Sequence, residues 1–134
     1  MSNPGQNRTQ VHVRLALANG GSLDEADIAL IETLQRCRSI LGASKLMGLS
    51  YRKTWLMADA LNRTFESRVI ETFPGRRGAG TEVTAFGQRL VALFRSIERR
   101  SATAAAAALG ELTASLDYSF DAQAPAAAGE ARRD

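Results

Sequence analysis

The 134-residue sequence is short of the residues on which most catalysis and covalent stapling depend. Its one cysteine, Cys37, excludes an internal disulfide and fits a reducing compartment. Its one histidine, His12, has no serine, cysteine or acid arranged around it as a triad or zinc site requires. No apolar run approaches the ~18–20 residues of a membrane span, and no signal peptide is recognisable, so no membrane association and a cytoplasmic location are expected. There is no G-x-G-x-x-G, and the glycine-rich stretch 75–80 lacks the Gly-Lys-Ser/Thr ending of a phosphate-binding loop. Paired carboxylates at catalytic spacing are also missing. Catalytic and metal-ligating residues are therefore expected to be none, and an enzyme is the least favoured class.

What is present fits one domain. Apolar residues make up 45% and charged residues 23%, which is ordinary for a soluble globular chain. The net charge of +3 hides a sharp division. Residues 36–100 hold 13 Lys/Arg against 5 Asp/Glu, a balance of +8, while the rest of the chain balances at −5. A basic block of this kind favours a polyanionic partner over a merely solvated surface.

Val11, Val13, Leu15 and Leu17 alternate with His12, Arg14, Ala16 and Ala18, which predicts a short strand closed by Asn19-Gly20-Gly21. Ser22-Leu23-Asp24-Glu25 fits a capping box, with Ser22 as N-cap of a first helix. Asp24, Glu25 and Asp27 would sit in its first turn, where the helix dipole favours acids. Ala26, Leu30, Ile31, Leu34 and Cys37 would line its buried face. A short second helix is predicted over 40–47, with Ile40, Ala43, Leu46 and Met47 inward and Gly48 as terminator. Ser50 is a good N-cap for a third helix running to about Phe65, with Thr54, Ala58, Leu61 and Phe65 as core stripe. Lone Trp55 is expected to be partly buried packing, the alternative being a stacking platform. Residues 68–73 and 81–83 read as a hairpin around the flexible turn 74–80. Thr84 caps a long helix through about Arg100, and 101–118 continue as Ala-rich helix.

This order is that of a winged helix-turn-helix: mainly α with a small β hairpin and a long C-terminal dimerisation helix. The third helix would enter the major groove of duplex DNA by its N-terminal end. There Ser50, Tyr51, Arg52 and Lys53 reach base edges or phosphates, with Lys45 beside them. Arg76 and Arg77, set among glycines at the hairpin tip, would form the wing. Phe86, Leu90, Phe94 and Ile97 exceed what so small a domain needs for its own core, so the stripe is expected to be shared in a homodimer. The domain is placed at 10–118, after a loose 1–9 and before a disordered Ala/Pro/Gly-rich 119–134.

The stretch Ser39-Ile40-Leu41-Gly42-Ala43-Ser44-Lys45-Leu46-Met47-Gly48-Leu49-Ser50-Tyr51-Arg52-Lys53-Thr54-Trp55 resembles the helix-turn-helix of the ModE family of molybdate-responsive regulators. Gly75 through Leu90 resembles that family's glycine-rich wing and the opening of its long helix. The resemblance covers about residues 13–100. It implies a LysR-type winged helix, a dimer joined through the long helix and N-terminal strand, and repression or activation of molybdate-transport genes. Full-length members bind molybdate in later domains. The chain ends at Asp134 without the segment that introduces them, so a stand-alone DNA-binding half is expected. Such a half would bind no cofactor and no molybdate by itself; regulation by molybdate would need a separate molybdate-sensing protein, the alternative being a response to a different signal. The competing class is a winged-helix protein-interaction module working through its long helix.

Overall fold

The structure, a computed structural model, describes residues 8–73 and 80–123. Residues 10–104 form one compact unit, and 8–9 with 105–123 belong to a second. In the first unit β1 (Arg14–Ala16) and β2 (Ser22–Asp24) precede α1 (Glu25–Cys37), α2 (Ile40–Met47) and α3 (Tyr51–Thr64). Then come β3 (Ile70–Thr72), β4 (Thr81–Val83) and α4 (Ala85–Ala104). The fold is mainly α, a winged helix in which α1 packs against α2, α3 and α4. In the second unit α5 (Ala106–Ala114) stands as a separate helix.

The period-two pattern of the N-terminal segment holds in space. Val13, Leu15 and Leu17 are half-buried, whereas His12, Arg14, Ala16 and Ala18 are exposed. β1 pairs antiparallel with β2, placing Leu15 opposite Leu23. That pairing corrects the first cap. Ser22 lies in β2, and Asp24 is the N-cap of α1. The Asp27 amide donates to the Asp24 carboxylate at 3.2 Å, and the Asp24 amide donates to that of Asp27 at 3.0 Å. Leu23 decides the register: a helix begun at Ser22 would take it out of the strand that buries it. Glu25 instead reaches α4, accepting from Arg95 at 2.7 Å, while Glu32 and Glu98 pair with the same guanidinium at 2.9 and 2.8 Å.

The core comprises Ile28, Leu30, Ile31 and Leu34 of α1, Ala43, Ala58 and Leu61 of α2 and α3, Val69 and Ile70, and Leu90 and Phe94 of α4. Ala26, expected inside, is exposed, because it lies in the first turn of α1 at the end of the apolar stripe, and Ile28 is buried instead. Leu46 is likewise exposed at 66%, whereas Ser44 is buried and donates to the Leu41 carbonyl at 2.7 Å. In a two-turn helix the apolar pattern is too short to settle which side faces in.

The hairpin is pinned to this core. β3 and β4 pair antiparallel with Glu71 opposite Glu82. Arg68 and Arg38 stand beside these carboxylates at 3.9 and 3.5 Å and offset the cross-strand repulsion. The Thr84 hydroxyl donates to the Arg68 carbonyl at 2.6 Å and accepts from the Gly87 amide at 2.9 Å, so Thr84 caps α4 as expected. α4 runs to Ala104, beyond the expected Arg100. The helix expected to continue through 118 is interrupted at Ala105, and nothing in this alanine-rich stretch explains the break. The tip residues 74–79 and the tail from 124 onward lie outside the described residues.

The two acids at the start of α1 pull stability in opposite directions with pH. Burial pushes Asp27 up to about 6, with the charge of Asp24 adding to the effect. The folded state therefore binds this proton more readily than the unfolded chain, and its contribution grows as pH falls from about 6 toward 4. The Arg95 hydrogen bonds hold Glu25 below its ordinary value of 4.5, a stabilisation present above that value and lost as pH falls through the folded pKa. Stability from this pair is expected to rise as pH falls from about 6 toward 4.5, with the Glu25 contribution lost only below that. Asp27→Asn keeps the carbonyl that accepts from Asp24 and should stabilise the protein at pH 7 by about 1–2 kcal/mol, with no gain at pH 4. Urea denaturation at both pH values measures this; an equal effect at both would remove Asp27 as the titrating group.

Candidate nucleic-acid interface

α2, the turn 48–50 and α3 form the helix-turn-helix, and its geometry follows from four residues. Ser39 caps α2, accepting from the Gly42 amide at 2.9 Å. Gly48 ends it with φ +68°, a left-handed conformation that glycine adopts without a Cβ penalty. Ser50 caps α3, accepting from the Lys53 amide at 3.0 Å. Thr54 is fully buried and donates to the Ser50 carbonyl at 2.9 Å, which locks the first turn of α3. Thr54, Ala58 and Leu61 face the core as expected, and Phe65 is half-buried against Phe86. The small side chains of Ala43 and Ala58, both buried, let α2 and α3 pack closely.

The far end of α3 is held by two asparagines that sequence patterns do not single out. Asn19, in the β1–β2 turn, donates to the Thr64 carbonyl at 2.9 Å, which satisfies one of the terminal carbonyls of α3. Asn62 accepts from the amides of Val69 and Ile70 at 2.8 and 3.0 Å and donates to the Ile70 carbonyl at 2.9 Å. One side chain thus joins α3 to the hairpin.

The opposite face of α3 is open. Tyr51, Arg52 and Lys53 are exposed in its first turn, as is Lys45 in α2. Among the described residues, none of the Arg52, Lys53 and Lys45 side chains makes a hydrogen bond or ion pair. The Ser50 oxygen is occupied as a cap, but its hydroxyl proton remains able to donate. From Thr33 to Ala58 the chain carries no carboxylate. Of the acids of α1, Glu25 and Glu32 pair with Arg95 and Asp27 closes the capping box, so none of them is engaged with the cations of the helix-turn-helix. Arg76 and Arg77, expected as the wing, lie outside the described residues, though the strands that would carry them are in place.

Two expectations change. Trp55 is 46% exposed and lies on the open face of α3 together with Tyr51, Arg52 and Leu56; it is not packing for the core. Of the apolar residues on α4, Leu90 and Phe94 are buried in the core of their own chain and Phe86 stacks on Phe65, with ring centroids 5.5 Å apart. The exposed large apolar residues of α4 are Leu93 and Ile97. The stripe therefore is not in excess of what the fold needs, because a single α4 has to cover both α1 and the hairpin.

Among the described residues there is no cluster of His, Cys, Asp or Glu able to hold a metal, and no helix is long and apolar enough to cross a membrane. No family model matches the chain. It is 38% identical over 80 residues to the molybdenum transport protein ModE of Azotobacter vinelandii, covering 59% of this chain and 30% of that protein. It is 40% identical over 72 residues to the molybdenum-pterin-binding protein MopA of Rhodobacter capsulatus, covering 53% of this chain and 27% of that protein. It is 32% identical over 72 residues to the DNA-binding transcriptional dual regulator ModE of Escherichia coli, covering 53% and 28%. The chain spans less than a third of the length of these relatives, and none of their names is that of an enzyme. The protein is thus similar, over somewhat more than half of its length, to molybdenum-linked regulators and binding proteins of the ModE and MopA kind.

Proposed function

We propose that the chain is a sequence-specific DNA-binding transcriptional regulator that controls genes of molybdate transport or molybdenum metabolism. The observation that carries this reading is the open face of α3: a capped first turn with Tyr51, Arg52 and Lys53 exposed, inside a stretch without a carboxylate. Arg52 serves as the base-reading group, because a guanidinium can donate two parallel hydrogen bonds to guanine in the major groove. Ser50, Lys53 and Lys45 hold phosphates, and Arg76 and Arg77 extend the contact as the wing. Two copies pair through the exposed side of α4 at Leu93 and Ile97, while Phe86, Leu90 and Phe94 hold that helix in its own chain. Such a dimer reads two half-sites a helical turn or a multiple apart. The link to molybdenum comes from the names of the relatives and concerns which genes are controlled.

Binding to a duplex selected from a random pool, followed by fluorescence anisotropy across a salt series, tests this. Affinity is expected to fall steeply with salt, since each neutralised phosphate adds about one unit to the log–log slope. Arg52→Ala should weaken the selected duplex by roughly 1–3 kcal/mol and random duplex far less. Equal loss on both would make Arg52 a phosphate ligand. Absence of any duplex preference, with a flat salt response, would refute the reading.

A further inference from the structure

We infer that Trp55 is a specificity-determining residue that reads the 5-methyl groups of thymine in the major groove, an inference that rests on the DNA-binding reading above. Tyr51, Arg52, Trp55 and Leu56 together line a shallow concavity on α3. Tyr51 and Trp55 are one helical turn apart, and Arg52 and Leu56 form the neighbouring pair, so aromatic, aliphatic and cationic groups share one face. None of the three apolar side chains contributes to the core, which α3 meets with Thr54, Ala58 and Leu61. Each is about half exposed, at 53%, 46% and 46% for Tyr51, Trp55 and Leu56. Large apolar surface kept in water on a recognition helix points to a partner with an apolar feature.

Charge identifies that partner. The concavity lies within the carboxylate-free stretch from Thr33 to Ala58, with Arg52 on its wall and Lys53 beside it. Asp59, one turn beyond Trp55, is paired with Arg63, and a cationic concavity whose own lining carries no carboxylate favours a polyanion over an apolar protein surface. Within the major groove of duplex DNA the apolar group projecting from a base edge is the thymine 5-methyl, which the other unmodified bases lack. The indole ring offers the broadest apolar face on the concavity and takes that methyl. Arg52 then reads a neighbouring guanine or holds the adjacent phosphate. Sequence preference would thus come from two chemically separate contacts, one cationic and one apolar.

The test uses the full chain and the duplex selected from a random pool. Thymidine is replaced by deoxyuridine one position at a time, which removes the methyl and leaves base pairing and the O4 acceptor unchanged. At one or two positions in each half-site affinity is expected to fall about four-fold per methyl. Trp55→Ala should bind the thymidine and deoxyuridine duplexes equally, while its salt slope stays that of the unaltered chain. Trp55→Phe should retain part of the discrimination. The wild-type titration needs no variant, so a folding defect in Trp55→Ala cannot mask the result. If binding is selective and depends on Arg52, yet no deoxyuridine substitution matters, the inference fails and the DNA-binding reading stands. If deoxyuridine matters equally in Trp55→Ala, another residue reads the methyl and the assignment to Trp55 fails. If no selective duplex binding exists, the functional reading fails first and this inference with it.

Discussion

Replacing Asn62 with alanine is expected to destabilise the protein by roughly 3–4 kcal/mol, although Asn62 is only half-buried and lies outside the hydrophobic core. Its carbonyl oxygen accepts from two consecutive backbone amides, Val69 and Ile70, in residues that are 0% and 1% exposed. Its amide donates to the Ile70 carbonyl. Alanine removes all three contacts, and each buried backbone group left without a partner costs about 1–3 kcal/mol. The sum is tempered where water enters. Asn62→Asp keeps the acceptor and loses the donor, so it should fall between the two. Urea denaturation measures both, with an unchanged m-value as the sign that only stability has moved. A loss below about 1 kcal/mol would mean that the Val69 and Ile70 amides find other partners.

A comparable loss, about 3 kcal/mol, is expected for Gly87→Ala. In an open helix position this change is favourable by up to ~1 kcal/mol. Here an added Cβ would meet the Val69 carbonyl oxygen at 2.6 Å and the Val83 Cγ1 at 2.7 Å. The first obstacle is backbone, so the helix itself must retreat from the hairpin. Retreat strains the hydrogen bond from the Thr84 amide to the same Val69 carbonyl, 3.0 Å long, as well as the Thr84 cap. Gly110→Ala is the matched control, because a Cβ there meets nothing within 4 Å. Thermal melts of both variants should move in opposite directions or, for Gly110, remain level. A Gly87 variant as stable as the parent would show that α4 docks with slack.

These two sites mark the limit of what sequence patterns disclose. The helix-turn-helix is legible because its signals are local: the left-handed Gly48, the Ser50 cap, and a core stripe at Thr54, Ala58 and Leu61. The alternation from Val11 to Leu17 and the strand at Thr81–Val83 are legible for the same reason. Asn62 and Asn19 are not, since their partners lie 7–8 and 45 residues away and an asparagine in a helix or turn has many local uses. The cap of α1 was ambiguous because Ser22 with Glu25 and Asp24 with Asp27 share one spacing; the burial of Leu23, a tertiary fact, decides between them. Trp55 and Leu46 mislead in the same direction. Hydropathy assigns a large apolar side chain to the interior, and only the packed helices reveal that both face outward. Leu90 and Phe94 mislead in reverse, because a stripe on a long helix reads alike whether it covers its own domain or another chain.

The clamping of α3 at both ends has a consequence for the entropy of recognition. Asn19 and Asn62 fix its final turn, and Ser50 with Thr54 fixes its first. Its backbone is therefore ordered before any encounter, and that ordering is met during folding. What remains to be immobilised on docking is a handful of side chains, at about 0.5–1.5 kcal/mol for each flexible one. The rings of Tyr51 and Trp55 turn about two torsions each and lose little, whereas Arg52 and Lys53 lose more. On the DNA-binding reading proposed above, the helix would meet the duplex as a rigid rod whose aromatic contacts come at the smallest entropic cost, with the flexible cations supplying the adjustment.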